Sequence, residues 1–130
     1  MWKILVVDDN FTNRQLILEI LRDFAVCDVA ANGREAIEAY NQSLKKGGYD
    51  LVLLDVAMPD MDGVEFLKLV RENEKKAGIP LGEGLPIIMV TAFKEPVNEA
   101  FSIGCDDYIV KPIDPDKLIS KIKEKLGDPK

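Results

Sequence analysis

The sequence contains no histidine, only two cysteines and a single tryptophan in 130 residues. The missing imidazole removes the usual general base and any histidine phosphate donor within this chain. Cys27 and Cys105 have no neighbouring thiol and form no CxxC pair, so a structural zinc site would lack ligands. Both thiols read as reduced, buried, small apolar residues of a cytosolic protein. No apolar run approaches the ~20 residues a membrane helix needs, and no basic and apolar leader opens the sequence. A cytoplasmic location is therefore expected. Positive charge is also scarce: 17 Lys and Arg against 23 Asp and Glu give a net charge of −6. That balance argues against nucleic acid as a partner, since phosphate backbones demand a basic face.

What remains is 47% hydrophobic, enough for one buried core. Lys3 to Val7 is a short apolar run that stops at Asp8-Asp9-Asn10, as a buried strand entering a turn would. Leu16, Ile17, Ile20, Leu21 and Phe24 are spaced for one face of a helix. Val26 to Ala30 reads as a second strand, marked as an edge by Asp28. Ala36, Ile37, Tyr40 and Leu44 give a second helical stripe, ended by Gly47-Gly48. Leu51 to Leu54 is a third strand stopping at Asp55, and residues 58–63 read as a loop. Phe66, Leu67 and Val70 mark a third helix. Residues 77–86 carry more glycine and proline than a tight turn requires and read as an enlarged surface loop. Ile87 to Val90 is a fourth strand ending at Thr91. Val97, Ala100 and Phe101 mark a fourth helix closed by Gly104. Tyr108 to Val110 is a fifth strand ending at Lys111-Pro112. Asp114-Pro115 opens a last helix with an N-cap and a first-turn proline, and its Leu118, Ile119, Ile122 and Leu126 are expected to face inward. Five strand–helix repeats imply a parallel sheet covered on both faces.

Asp8-Asp9, Asp55, Thr91 and Lys111 all fall at carboxyl ends of strands, where open parallel sheets bind ligands. Each alone is ordinary: an aspartate after a strand is usually a turn residue, and a lysine before proline is usually a surface charge. Their joint placement carries the argument. Three converging carboxylates would repel until one took up a proton, and a hard cation such as Mg²⁺ relieves this. A carboxylate can attack phosphorus to give an acyl phosphate. A lysine can pair with that phosphate and a threonine hydroxyl can donate to it.

The segments Ile4-Leu5-Val6-Val7-Asp8-Asp9-Asn10, Leu53-Leu54-Asp55-Val56-Ala57-Met58-Pro59-Asp60-Met61-Asp62-Gly63, Met89-Val90-Thr91-Ala92 and Tyr108-Ile109-Val110-Lys111-Pro112 resemble the receiver domain of two-component response regulators, in the single-domain chemotaxis-regulator style. The likeness runs through residues 1–127 and leaves 128–130 as a short tail. It implies an α/β, flavodoxin-like, doubly wound sheet of five parallel strands in the order 2-1-3-4-5 with five helices. It implies that Asp55 accepts the phosphoryl group, and that Asp8, Asp9, Asp55 and the backbone carbonyl of Ala57 hold Mg²⁺. Thr91 and Lys111 match the residues that sense the phosphate, and Tyr108 the aromatic that swings inward when the threonine moves. The Lys111-Pro112 bond is expected to be cis, Gly63 to close the acidic loop, and Ala57 and Phe93 to tune phosphate lifetime. The implied partners are a sensor histidine kinase or histidine phosphotransfer protein and a downstream protein effector, and the face formed by residues near 94–110 and the last helix is the candidate output surface. Membrane and nucleic acid are not among them. A monomer or a phosphorylation-dependent dimer is implied, and no enzyme beyond its own phosphoryl transfer and dephosphorylation.

Three other readings compete. An aspartyl-phosphate phosphohydrolase needs a general acid two residues after its nucleophile, where this chain has Ala57. A flavin or nucleotide domain of similar topology needs a glycine- or hydroxyl-rich loop after the first strand, where this chain has Asp8, Asp9 and Asn10. A receiver-like interaction module that never takes phosphate would not need all five site positions, and they are intact.

Overall fold

The computed structural model describes residues 1–55, 62–80, 82–91 and 104–129. Its strands are β1 (Trp2–Val7), β2 (Ala25–Ala30), β3 (Leu51–Asp55), β4 (Ile87–Thr91) and β5 (Asp107–Val110). They form one parallel sheet in the order β2-β1-β3-β4-β5, as the resemblance implies. The α-helices among the described residues are α1 (Phe11–Leu21), α2 (Gly33–Ser43), α3 (Asp62–Lys76) and α4 (Pro115–Leu126). The helix expected around Val97, Ala100 and Phe101 lies outside the described residues. No described helix is long and apolar enough to cross a membrane.

Period-two alternation divides the strands between two cores. Leu5, Val7, Val52, Leu54 and Met89 face α2 and α3, where Tyr40, Phe66, Leu67 and Val70 cover them. Ile4, Val6, Leu53, Ile88 and Val90 face the opposite side, under Ile17 and Leu21 of α1 and Leu118 and Ile122 of α4. Because both faces are buried, β3 and β4 are apolar throughout until their final Asp55 and Thr91. Near the amino end of the sheet, Trp2 is buried and stacks on Phe24 with ring centroids 6.0 Å apart.

Helix starts follow side-chain capping. Asn10 Oδ1 accepts from Asn13 N–H at 2.9 Å. Asn32 Oδ1 accepts from Glu35 N–H, and Glu35 returns an oxygen to Ala31 N–H, each at 2.9 Å. Asp114 caps α4 ahead of Pro115, as the sequence predicts.

The 77–86 connection runs between α3 and β4, with the predicted bounds. Its anchor was not foreseen. Arg71 of α3 donates to Leu85 O at 2.9 Å, to Gly104 O at 2.8 Å and to Asp106 Oδ2 at 2.9 Å, and pairs with Glu74 at 2.8 Å. Glu74 Oε2 in turn accepts from Leu85 N–H at 2.6 Å, and Asp106 Oδ2 from Ile87 N–H at 2.7 Å. A half-buried guanidinium with every partner hydrogen-bonded can hold such charges without a large desolvation penalty.

Several expectations need correction. Leu16 is exposed, because the buried stripe of α1 is centred on Ile17 and Leu21 and lies a residue's rotation away. Phe24 lies beyond the end of α1. Leu44 is exposed because α2 ends at Ser43, and a 3₁₀ turn to Lys46 rotates it outward before the left-handed Gly47. Gly63 sits inside α3, in a first turn whose N–H groups need no helical partner, rather than in the loop expected over 58–63. Cys27 is half-buried on edge strand β2, whereas Cys105 is buried as expected.

Phe66 is fully buried and meets Tyr40 edge-on at 6.1 Å. Phe66→Ala is expected to destabilise the fold by about 3–5 kcal/mol in urea denaturation, and Leu44→Ala by under about 0.5 kcal/mol. Equal losses would contradict the two-core packing.

Candidate functional site

Parallel register brings the strand ends together. Asp55 pairs with Val90 and Thr91 with Val110, so β3 and β4 finish side by side and Lys111 follows directly from β5. Asp8 continues β1 by one residue, its N–H donating to Ala30 O at 3.0 Å. Asp8, Asp55 and Thr91 are buried, at 1%, 3% and 2% exposure, while Asp9 is exposed at the rim. Carboxylate oxygens of Asp8, Asp9 and Asp55 lie within 4.8 Å of one another.

Lys111 Nζ stands 3.3 Å from Asp55 Oδ2. Lys111 N–H donates to Thr91 O at 2.7 Å, and the Lys111–Pro112 bond is cis, as the resemblance implies. Tyr108 lies on β5 in register with Met89 and packs against the α2–α3 core. Ala57 and Phe93 lie outside the described residues.

The electrostatics follow from the crowding. Burial pushes the Asp8 carboxyl up to about 6, and the neighbouring Asp55 charge adds to the rise. The N–H of Asn10, donating to Asp8 Oδ1 at 2.8 Å, and the charge of Lys111 pull the other way. Asp8 Oδ2 is buried with no hydrogen-bond partner among the described residues. A buried carboxylate oxygen without a donor, facing two further carboxylates, fits a hard oxygen-seeking cation.

Two contributors escaped the sequence reading. Arg14 Nη1 donates to Asp8 O at 2.7 Å, and Asn10, as the cap of α1, supplies the N–H that orients Asp8. The signal for both was an asparagine three residues after a strand end with a basic residue one helical turn on.

Residues 4–123 match the model of the response regulator receiver domain. Transcriptional regulatory protein ResD of Bacillus subtilis is 42% identical over 127 residues, spanning 95% of this chain and 48% of ResD. The chain spans only 6% and 7% of two hybrid signal transduction histidine kinases of Dictyostelium discoideum that it also matches. Among solved structures, chemotaxis protein CheY4 of Vibrio cholerae is 32% identical, covers 97% of this chain and 99% of its own, and superposes with a TM-score of 0.81. The receiver domain of Ssk1 from Saccharomyces cerevisiae, solved with the histidine phosphotransfer protein Ypd1, is 30% identical over 96% of this chain and 88% of its own, with a TM-score of 0.81. With the sheet order, the acidic cluster and the facing lysine in place, the chain belongs to the response regulator receiver domain family.

Proposed function

We propose that residues 1–127 act as a phosphorylation switch, with 128–130 as a short tail, in which Asp55 accepts a phosphoryl group from a phosphohistidine donor. The observation that carries this reading is the ammonium of Lys111 set 3.3 Å from the buried Asp55, whose carboxylate clusters with those of Asp8 and Asp9. An Asp55 oxygen attacks phosphorus, a P–O bond forms, and the P–N bond to the donor imidazole breaks. Asp8, Asp9 and Asp55, together with the Ala57 carbonyl, would hold Mg²⁺. When bound, that ion offsets the negative charge of the transferring group.

Lys111 takes part of the phosphate charge as a point cation, and the Thr91 hydroxyl donates to a phosphate oxygen. Phosphate adds about −1.5 to −2 charges, so these two groups acquire a new attractor. Tyr108 follows Thr91 as the two ends of the switch. The chain turns over no substrate beyond its own phosphoryl group.

The proposed partners are a sensor histidine kinase or histidine phosphotransfer protein and a protein effector. Support for the first comes from the surface beside the pocket: Phe11, two residues after Asp9 at the start of α1, is 65% exposed. Exposed apolar side chains beside a reactive group favour a protein donor over a small one.

Asp55→Asn is expected to reduce labelling by acetyl phosphate to background, and EDTA to stop labelling of the parent chain. Phosphate analysis by gel shift or mass checks both, and full labelling in either case removes the assignment. Phe11→Ala is expected to slow transfer from a phosphohistidine protein several-fold while sparing transfer from acetyl phosphate.

The Asp8 carboxyl gives a pH dependence. Its folded value of about 6 lies above the ordinary 3.8, so the folded chain holds a proton that the unfolded chain has released. Ionisation therefore opposes folding, and the metal-free chain should lose stability as pH rises from about 4 to about 6. The loss is at most roughly 3 kcal/mol. Urea midpoints in EDTA should fall across that range, Asp8→Asn should flatten the fall, and Mg²⁺ should raise the midpoint at neutral pH.

A further inference from the structure

The outer edge of β2 carries a backbone pattern the switch does not use. Trp2 N–H donates to Phe24 O and Asp8 N–H to Ala30 O, each at 3.0 Å. Strand alternation then turns the N–H and C=O groups of Val26 and Asp28 toward β1 as well. Those of Ala25, Cys27 and Val29 point away from the sheet, and among the described residues the strand pairs only with β1.

Edge strands are usually guarded by lysine, proline, a bulge or short length. The six-residue β2 sequence AVCDVA has neither lysine nor proline, its one charged guard is Asp28, and Val26 and Val29 are 59% and 47% exposed. The opposite edge differs: β5 has four residues and its Asp107 is paired with Lys121 at 3.1 Å. The α2 side of β2 is open as well, bordered by a cleft of about 520 Å³ lined by Asp28, Gln42, Lys46 and Tyr49.

We infer that β2 pairs antiparallel with β2 of a second copy of this chain, joining two sheets across a two-fold axis at Cys27. The two-fold admits few registers, because opposed residues must share a face. Centring on Asp28 sets two carboxylates directly opposite, which is destabilising. Centring on Val26 leaves Val29 without a strand partner. Centring on Cys27 pairs Ala25 with Val29 of the second copy and Cys27 with its own counterpart, so every outward donor and acceptor of both strands is used. That register also sets Asp28 opposite Val26 of the second copy. Val26 is in register with Lys3, so a cation lies in the same cross-strand row. At a strand spacing of about 4.8 Å, the row sets that lysine's backbone within about 10 Å of Asp28, while within each copy Lys3 Nζ lies over the Tyr49 ring at 5.6 Å and Tyr49 donates to Asp28 at 2.7 Å.

The dimer depends on neither metal nor phosphate. Sedimentation of the full chain in EDTA, over a series of protein concentrations, is expected to show mass rising toward twice the monomer. Asp55→Asn should behave identically, which separates this inference from the switch. Val26→Lys and Val29→Lys, each a surface change on the edge and each checked for a native circular dichroism spectrum, should hold the chain at monomer mass. Leu16→Lys on α1 should leave the dimer intact. A parent chain that stays monomeric at its highest soluble concentration overturns the inference. So does a dimer that survives both edge variants.

Discussion

The arrangement of this domain depends on like charges being forced together at the carboxyl ends of a parallel sheet. Asp8 and Asp55 are buried to within a few per cent, yet each is a carboxylate at the end of an apolar strand. Such a grouping is unfavourable by itself, and the surroundings distribute its compensation. Lys111 reaches across from β5, Asn10 N–H holds one Asp8 oxygen, and one oxygen is left with nothing from the described protein. The fold therefore stores an affinity for positive charge at one place. A cation or a proton each satisfies part of it, and a phosphoryl group changes which part dominates.

The rest of the molecule serves to hold that crowding in position. Period-two burial on both faces fixes strand register, since a one-residue slip would exchange the two cores. Register in turn fixes which residues emerge at the strand ends. Arg71 does similar work at the opposite end of the sheet, tying α3 to the entries of β4 and β5. The enlarged 77–86 connection consequently leaves strand placement undisturbed.

Much of this could be read from the chain itself. Apolar runs ending at Asp8, Asp55, Thr91 and Lys111 gave the strands and the pocket together, because burial on both faces leaves polar residues only where strands stop. Asp114-Pro115 announced α4 through local capping chemistry. Side-chain burial was less legible at helix margins. Leu16 and Leu44 fit an apolar stripe within the tolerance of a 3.6-residue period, and only the packed structure shows that the stripe passes beside one and ends before the other. The Arg71 network was invisible for a different reason: its partners are separated by up to 35 residues, and no local pattern links them.

Trp2 is the sole indole of the chain, shielded from solvent against Phe24 at the amino end of β1. Asp8 lies six positions further along the chain, about 20 Å at ~3.3 Å per residue. The Trp2 emission is thus a native optical probe of the α1–α4 core that stands clear of the acidic pocket. Fluorescence can follow global unfolding of this domain without interference from events at Asp55, whereas a spectroscopic readout of ligand arrival would require a chromophore introduced near the other end of the sheet.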